Sequence, residues 1–298
     1  MPRSKLHKQV QFVSGPLHSF HHVYSGTRWS CDLFPESYAM SQQATVSAVS
    51  EPVNRHITRW FYISIALMMI LLNVAAFAPS FIDPAVRRVP LPLTPMVAAH
   101  AIVSGLWLLL FLTQATLIAT GRTAVHRRLG VAGVVVAVAF VVLGVINVVE
   151  QARRGFDLSG DLGRVPAPPG AGTLAANTGL LFFFLEFTIL VGGAILYRHR
   201  PRVHKRLMLL AVLGALTPTP VAHIIGHWLN SEPRAVLLFP ASFIAFTSLS
   251  AIHDAISEGR VHPVSLWVPI VWLPLRIVET RVIQPSALWH EFAVWLTR

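Results

Sequence analysis

Apolar and polar positions alternate in long blocks along this chain. Apolar runs of 18–23 residues cover 60–78, 97–119, 129–149, 180–197, 207–229, 235–252 and 264–283, with polar connections between them. At the helical rise, about 20 residues cross the hydrocarbon core of a bilayer. The pattern therefore predicts an all-α fold, a polytopic membrane helix bundle of about seven transmembrane helices. The last run differs from the others: Pro269 and Pro274 interrupt it, and Arg276, Glu279 and Arg281 crowd its end. Beyond it, Leu288, Trp289, Phe292, Trp295 and Leu296 recur at helical spacing. That spacing predicts an amphipathic helix over 284–298 lying in the interface.

The first 55 residues are polar, sprinkled with histidine and without periodicity. They read as a disordered cytoplasmic tail, since such a segment has too little apolar surface to offset the entropy of ordering. Met40 opens a stretch, Met-Ser-Gln-Gln-Ala-Thr, that resembles a natural start, so 1–39 reads as an upstream extension of the gene model. The expected organisation is a tail over 1–55, a seven-helix domain over 56–283 and an interfacial helix over 284–298.

Basic residues assign an orientation. With the N-terminus inside, the cytoplasmic segments 1–59, 120–128, 198–206 and 253–263 hold 15 Lys and Arg, and the opposite connections hold 6. Lys and Arg accumulate on the cytoplasmic side of bacterial membranes, so the expectation is a multi-pass inner-membrane protein with a cytoplasmic N-terminus. The connection 150–179, with its run of proline and glycine after Arg164, is expected to be an extended outer loop.

Composition supports the membrane reading. Of 298 residues, 54% are hydrophobic and 12% charged, against roughly 25% charged in soluble domains. The net charge of +11 is spread between apolar runs, which suits lipid headgroups and argues against a nucleic-acid partner. Cys31 is the only cysteine, which excludes a disulfide framework and cysteine-ligated zinc or iron–sulfur sites. The chain contains no phosphate-binding loop, nucleophile elbow or His-Glu-x-x-His motif.

Candidate chemistry lies in polar residues within the apolar runs, where burial in lipid is costly. His100 sits near the outer end of the second run. Glu186 is six residues into the fourth, roughly 9 Å down at the helical rise. His223 and His227, four apart near the outer end of the fifth run, share a helical face. Asn147, Glu150, Arg276 and Glu279 fall at the same level. One reading is a redox site between helices 2, 4 and 5. There His100, His223, His227 and Glu186 bind haem b, or the three histidines hold a divalent metal, with electrons exchanged with a quinone or an outer-side redox partner. The other reading is a cofactor-free small transporter or membrane assembly factor with a proton-handling polar cavity. Simpler roles also exist: His100 and His227 at the headgroup level, Glu186 paired with Arg276 or a histidine, and Asn147 and Ser104 as hydrogen-bond contacts between helices.

On the cytoplasmic side His126, His199, His204, His253 and His262 all fall at helix ends beside basic residues. Asp254 is expected to pair with a cation such as Arg206 or Arg260.

Four stretches carry a resemblance. They are His100 with Trp107 and Gln114; His126-Arg127-Arg128-Leu129-Gly130; His204-Lys205-Arg206-Leu207-Met208-Leu209; and His253-Asp254 followed by Gly259-Arg260-Val261-His262-Pro263. Over roughly 60–298 the chain resembles a group of bacterial multi-pass membrane proteins with no assigned activity. It is more loosely similar to small haem-b membrane cytochromes, in which histidines of neighbouring helices hold haem near each face. That likeness implies an outer pair, His100 with His223, and an inner pair, His126 with His204.

Overall fold

The computed structural model describes the backbone of 36–86, 91–158, 172–225 and 232–298, and the side chains of 58–85, 91–158, 172–225 and 240–298. The chain divides into two units, Met1–Ser47 and Ala48–Arg298. Of the first unit, 36–47 are described, and they are helical.

Among the described residues the structure is helical and contains no strand. Helix α1 runs Glu36–Ile82, α2 Pro95–Ala119 and α3 Thr123–Arg154. Residues 36–55, expected as part of a tail, are helical. Residues 1–35 lie outside the described residues. Thr94 caps α2, its Oγ1 accepting from the Val97 amide at 3.4 Å, and Pro95 takes the first helical position, where no amide is needed. Gly121, at φ +77°, makes the tight turn that lays α3 back against α2. Helix α3 ends at Gly155, whose φ of +80° closes the helix in the left-handed conformation a side chain would resist.

Helix α4 (Thr173–Gly179) leads directly into α5 (Leu181–Leu196), so the end of the expected loop over 150–179 is helical instead. Residues 159–171, including Arg164, lie outside the described residues.

The next span is α6 (Pro201–Leu210), a π-helical turn over Ala211–Ala215 and α7 (Pro218–Ile224). Pro218 and Pro220 cannot donate backbone hydrogen bonds, and a widened turn just before them absorbs the mismatch. Leu209, Leu210, Ala211, Val212 and Leu213 are all 0% exposed. Around them pack Ile65, Ala66 and Met69 of α1, Trp107 and Phe111 of α2, Phe140 of α3 and Phe187 of α5.

Helix α8 (Glu232–Glu258) and α9 (Pro263–Val278) complete the bundle. The interruption expected at Pro269 and Pro274 does not occur: α9 is continuous through both and widens into a π turn only at Glu279–Ile283. Proline is tolerated in this way where neighbouring groups serve the freed carbonyls. Helix α10 (Ala287–Leu296) buries Ala293 and donates from Trp289 Nε1 to the Ala175 carbonyl at 3.1 Å, while Leu288 and Trp295 stay exposed.

Among the described residues five helical segments are long and apolar enough to cross a membrane: Thr58–Ile82, Pro95–Ala119, Thr123–Arg154, Thr173–Leu196 and Pro201–Ile224. Broad apolar surface on them, such as Leu71, Ile102, Val131 and Val135, faces outward. That is the surface a lipid environment covers.

Candidate functional site

At one end of the bundle α1, α2, α3, α5 and α7 line a half-open cavity of about 350 Å³. Its walls are mostly apolar and include five phenylalanines: Phe77 and Phe81 from α1, Phe140 from α3, Phe183 and Phe184 from α5. Polar groups enter from separate elements. His100 and Ser104 come from α2, Asn147 and Gln151 from α3, Asp157 from the segment after it, and His223 from α7.

The imidazole of His100 lies at 5.5 Å from the Phe140 ring, stacked, and edge-on to Phe184 at 5.9 Å. Its Nδ1 is buried and has no hydrogen-bond partner, as does Asn147 Oδ1. Buried polar atoms without partners are uncommon in folded proteins, because each forfeits its hydration. Both residues line the cavity. Ser104 does not supply the partner: its hydroxyl donates to the His100 carbonyl at 2.7 Å. On the far wall His223 is 2% exposed and packs on Phe77, ring centres 4.4 Å apart. Its Nε2 stands 3.2 Å from Asp157 Oδ2.

Of the sequence-predicted site residues, His100 and His223 meet at this cavity. Glu186 does not line it. Its carboxylate is buried, fits the notch left by Gly214, and pairs with Arg276 of α9. The Arg276 guanidinium also donates to Glu279 at 2.7 Å and lies over the Phe183 ring at 4.0 Å. Gln284 Nε2 adds a bond to Glu279 at 3.0 Å. The Glu186–Arg276 pair is thus the structural role foreseen as the alternative. His227 lies outside the described residues. Among the described residues no three His, Cys, Asp or Glu side chains are grouped to hold a metal ion. Asp157 and Gln151 were not expected. Asp157 follows a helix end, where hydrophobic period gives no direction; Gly155 turns the chain so that it re-enters the bundle.

At the opposite end a second polar cluster is built on Arg206 and Asp254, whose side chains are 0% and 1% exposed. The Arg206 Nε and Nη2 atoms donate to the Asp254 carboxylate at 2.6 to 3.0 Å, and Nη2 also reaches Glu258 at 2.6 Å. Ser265 Oγ and the His262 amide complete the carboxylate's shell at 2.6 and 3.2 Å. Burial opposes ionisation of Asp254, but these bonds outweigh it and hold its carboxyl below the usual range. The Arg206 bond lowers Glu258 likewise, against a burial effect of opposite sign. His253 is stacked on Phe61 at 4.1 Å, and burial, then the Lys205 charge, push its imidazole below the usual value.

Comparison with family models, with curated proteins and with solved structures finds no match to the chain.

Proposed function

We propose that this chain is a multi-pass inner-membrane protein whose cavity binds a flat, largely apolar redox cofactor, haem b, between His100 and His223. One observation carries the reading: two histidines from different helices line a single, largely apolar cavity of about 350 Å³. That volume falls within the range of small-molecule and cofactor sites. The residues present fit the group. His100 Nδ1 and His223 Nε2 are both buried without a hydrogen-bond partner, and Asp157 Oδ2 stands 3.2 Å from the latter. Bound there, haem would supply one-electron transfer. The chain's own contribution is to present two imidazoles, line the cavity with five phenylalanine rings, and keep a carboxylate beside His223. A quinone or an outer-side protein is the partner such chemistry requires.

The test is the optical spectrum of protein purified from haem-replete membranes. A Soret band is expected in the wild type and is lost in His100→Ala and His223→Ala variants that still insert. Purified wild-type protein without a Soret band would sink this reading.

The His223–Asp157 contact favours a second reading, a cofactor-free proton-handling cavity. An acid and an imidazole 3.2 Å apart can exchange one proton with a guest in the cavity.

Seven spans, a cytoplasmic N-terminus and the bacterial inner membrane complete the proposal, resting on the 15-to-6 basic bias. Reporter fusions at Arg164 and Arg202 should give opposite signals, and the same sidedness at both would refute it.

A further inference from the structure

Beside the Arg206–Asp254 pair, the first turns of α6 and α9 and the turn leaving α8 border a recess of about 310 Å³. Arg202, Glu258, Arg260 and His262 line it, with Val261 and Pro263. The buried pair holds both flanks. The Arg202 carbonyl accepts from Arg206 Nη1 at 2.7 Å, and the His262 amide donates to Asp254 Oδ2 at 3.2 Å. Gly259, at φ +65°, makes the turn that leads from α8 to Arg260. Charge around the recess is unbalanced. Arg206 and Lys205 engage the carboxylates of Asp254 and Glu258, with Lys205 Nζ 3.3 Å from Glu258. The guanidinium groups of Arg202 and Arg260 are exposed and have no hydrogen-bond or ion-pair partner. His262 Nδ1 accepts from the Val264 amide at 3.2 Å, so the proton of the neutral ring is on Nε2, a further donor.

We infer that this recess binds a phosphate group through Arg202 and Arg260. Guanidinium presents paired donors that match phosphate oxygens, and two unpaired guanidinium groups at one recess repel each other until an anion joins them. The first turns of α6 and α9 add the positive ends of their dipoles. Glu258 is the one lining group that repels phosphate, and its contacts with Arg206 and Lys205 offset that charge. The surroundings favour the headgroup of an anionic phospholipid over a soluble phosphate. The chain on either side of His262 exposes Val261, Leu266 and Trp267, apolar surface against which acyl chains can lie. Tryptophan is common at the membrane–water boundary, and basic pockets between transmembrane helices hold acidic headgroups in this way. A zwitterionic headgroup brings its own cation and gains less from two arginines. The site shares no residue with the histidine cavity and stands independently of the haem proposal.

Native mass spectrometry of the detergent-purified full chain, titrated with phosphatidylglycerol or phosphatidylcholine, tests the site. The wild type should retain phosphatidylglycerol in preference to phosphatidylcholine. Arg202→Gln and Arg260→Gln should each weaken that lipid about fivefold, the factor one cation contributes at a membrane surface. Arg127→Gln, which removes an exposed cation outside the recess, should leave it unchanged. The two recess substitutions are independent, so a fold defect in one, read from Tm, leaves the other to decide. Equilibrium dialysis against radiolabelled inorganic phosphate separates the sources. Phosphate held by the wild type and lost in both recess variants, without a preference between the lipids, supports the site and assigns it to a soluble phosphate. No lipid preference together with no phosphate binding overturns the inference. Recess variants that bind like the wild type also overturn it, as does an Arg127→Gln loss equal to theirs, which marks diffuse surface charge.

Discussion

Removing Asp254 tests the buried ion pair most directly. The Asp254→Ala change strips the Arg206 guanidinium, 0% exposed, of its bonds at 2.6, 2.9 and 3.0 Å. What remains is Glu258, 27% exposed, and the Arg202 carbonyl at 2.7 Å. Breaking a buried pair from one side costs about 3–5 kcal/mol, because a desolvated charge is left behind. The surviving Glu258 contact places this case at the lower end, about 3 kcal/mol. A chain of this size loses roughly 2–4 °C of Tm per kcal/mol, so thermal unfolding in detergent should fall by roughly 6–12 °C. The more exposed Glu258→Gln should cost about 1 kcal/mol or less. The double change Arg206→Met with Asp254→Leu should recover most of the loss, since a packed apolar pair replaces a paired charge at little cost. An Asp254→Ala protein as stable as wild type, or a Glu258→Gln protein as damaged as Asp254→Ala, would refute the reasoning.

Acid should act in two stages on Tm measured against pH. His253 has a folded value below its unfolded one, so stability is full above about pH 6.5 and declines as pH falls below it. Asp254 and Glu258 are also lowered, so their contribution persists to below about pH 4 and is lost as pH falls through their depressed values. A methyl group added at Gly144 overlaps the Phe184 ring, so Gly144→Ala should cost about 1–3 kcal/mol by overpacking and displace a wall of the cavity. Ligand content falling with Tm in this variant is the expected outcome, whereas Gly192→Ala, where a methyl meets open space inside α5, should keep its ligand and hold or slightly raise Tm.

The apolar runs made the early helices legible because lipid demands length and hydrophobicity together. The same rule located His100 and His223, since two polar rings in an apolar run need a shared environment. Asp254 was legible as a carboxylate in need of a cation, and Arg206 was one of two named for it. Other features left no such mark. Asp157 lies past a helix end, and only the three-dimensional turn at Gly155 returns it to the cavity. Glu186 could have served a ligand or an arginine, and the choice depended on how α9 packs, which no local pattern encodes. Pro269 and Pro274 read as breaks on local propensity alone, yet α9 runs through both.

The central span, Pro201–Ile224, carries a consequence for biogenesis. Its most apolar window is 67% buried, against 22% to 33% in the other four, and it is the least hydropathic of the five. A segment that owes its place to protein contacts partitions weakly into lipid by itself. Its Arg206 also waits for a carboxylate made 48 residues later. During synthesis this helix must therefore be sheltered by the helices already inserted, or held at the insertion machinery, until α8 delivers Asp254. The bundle closes around its middle last.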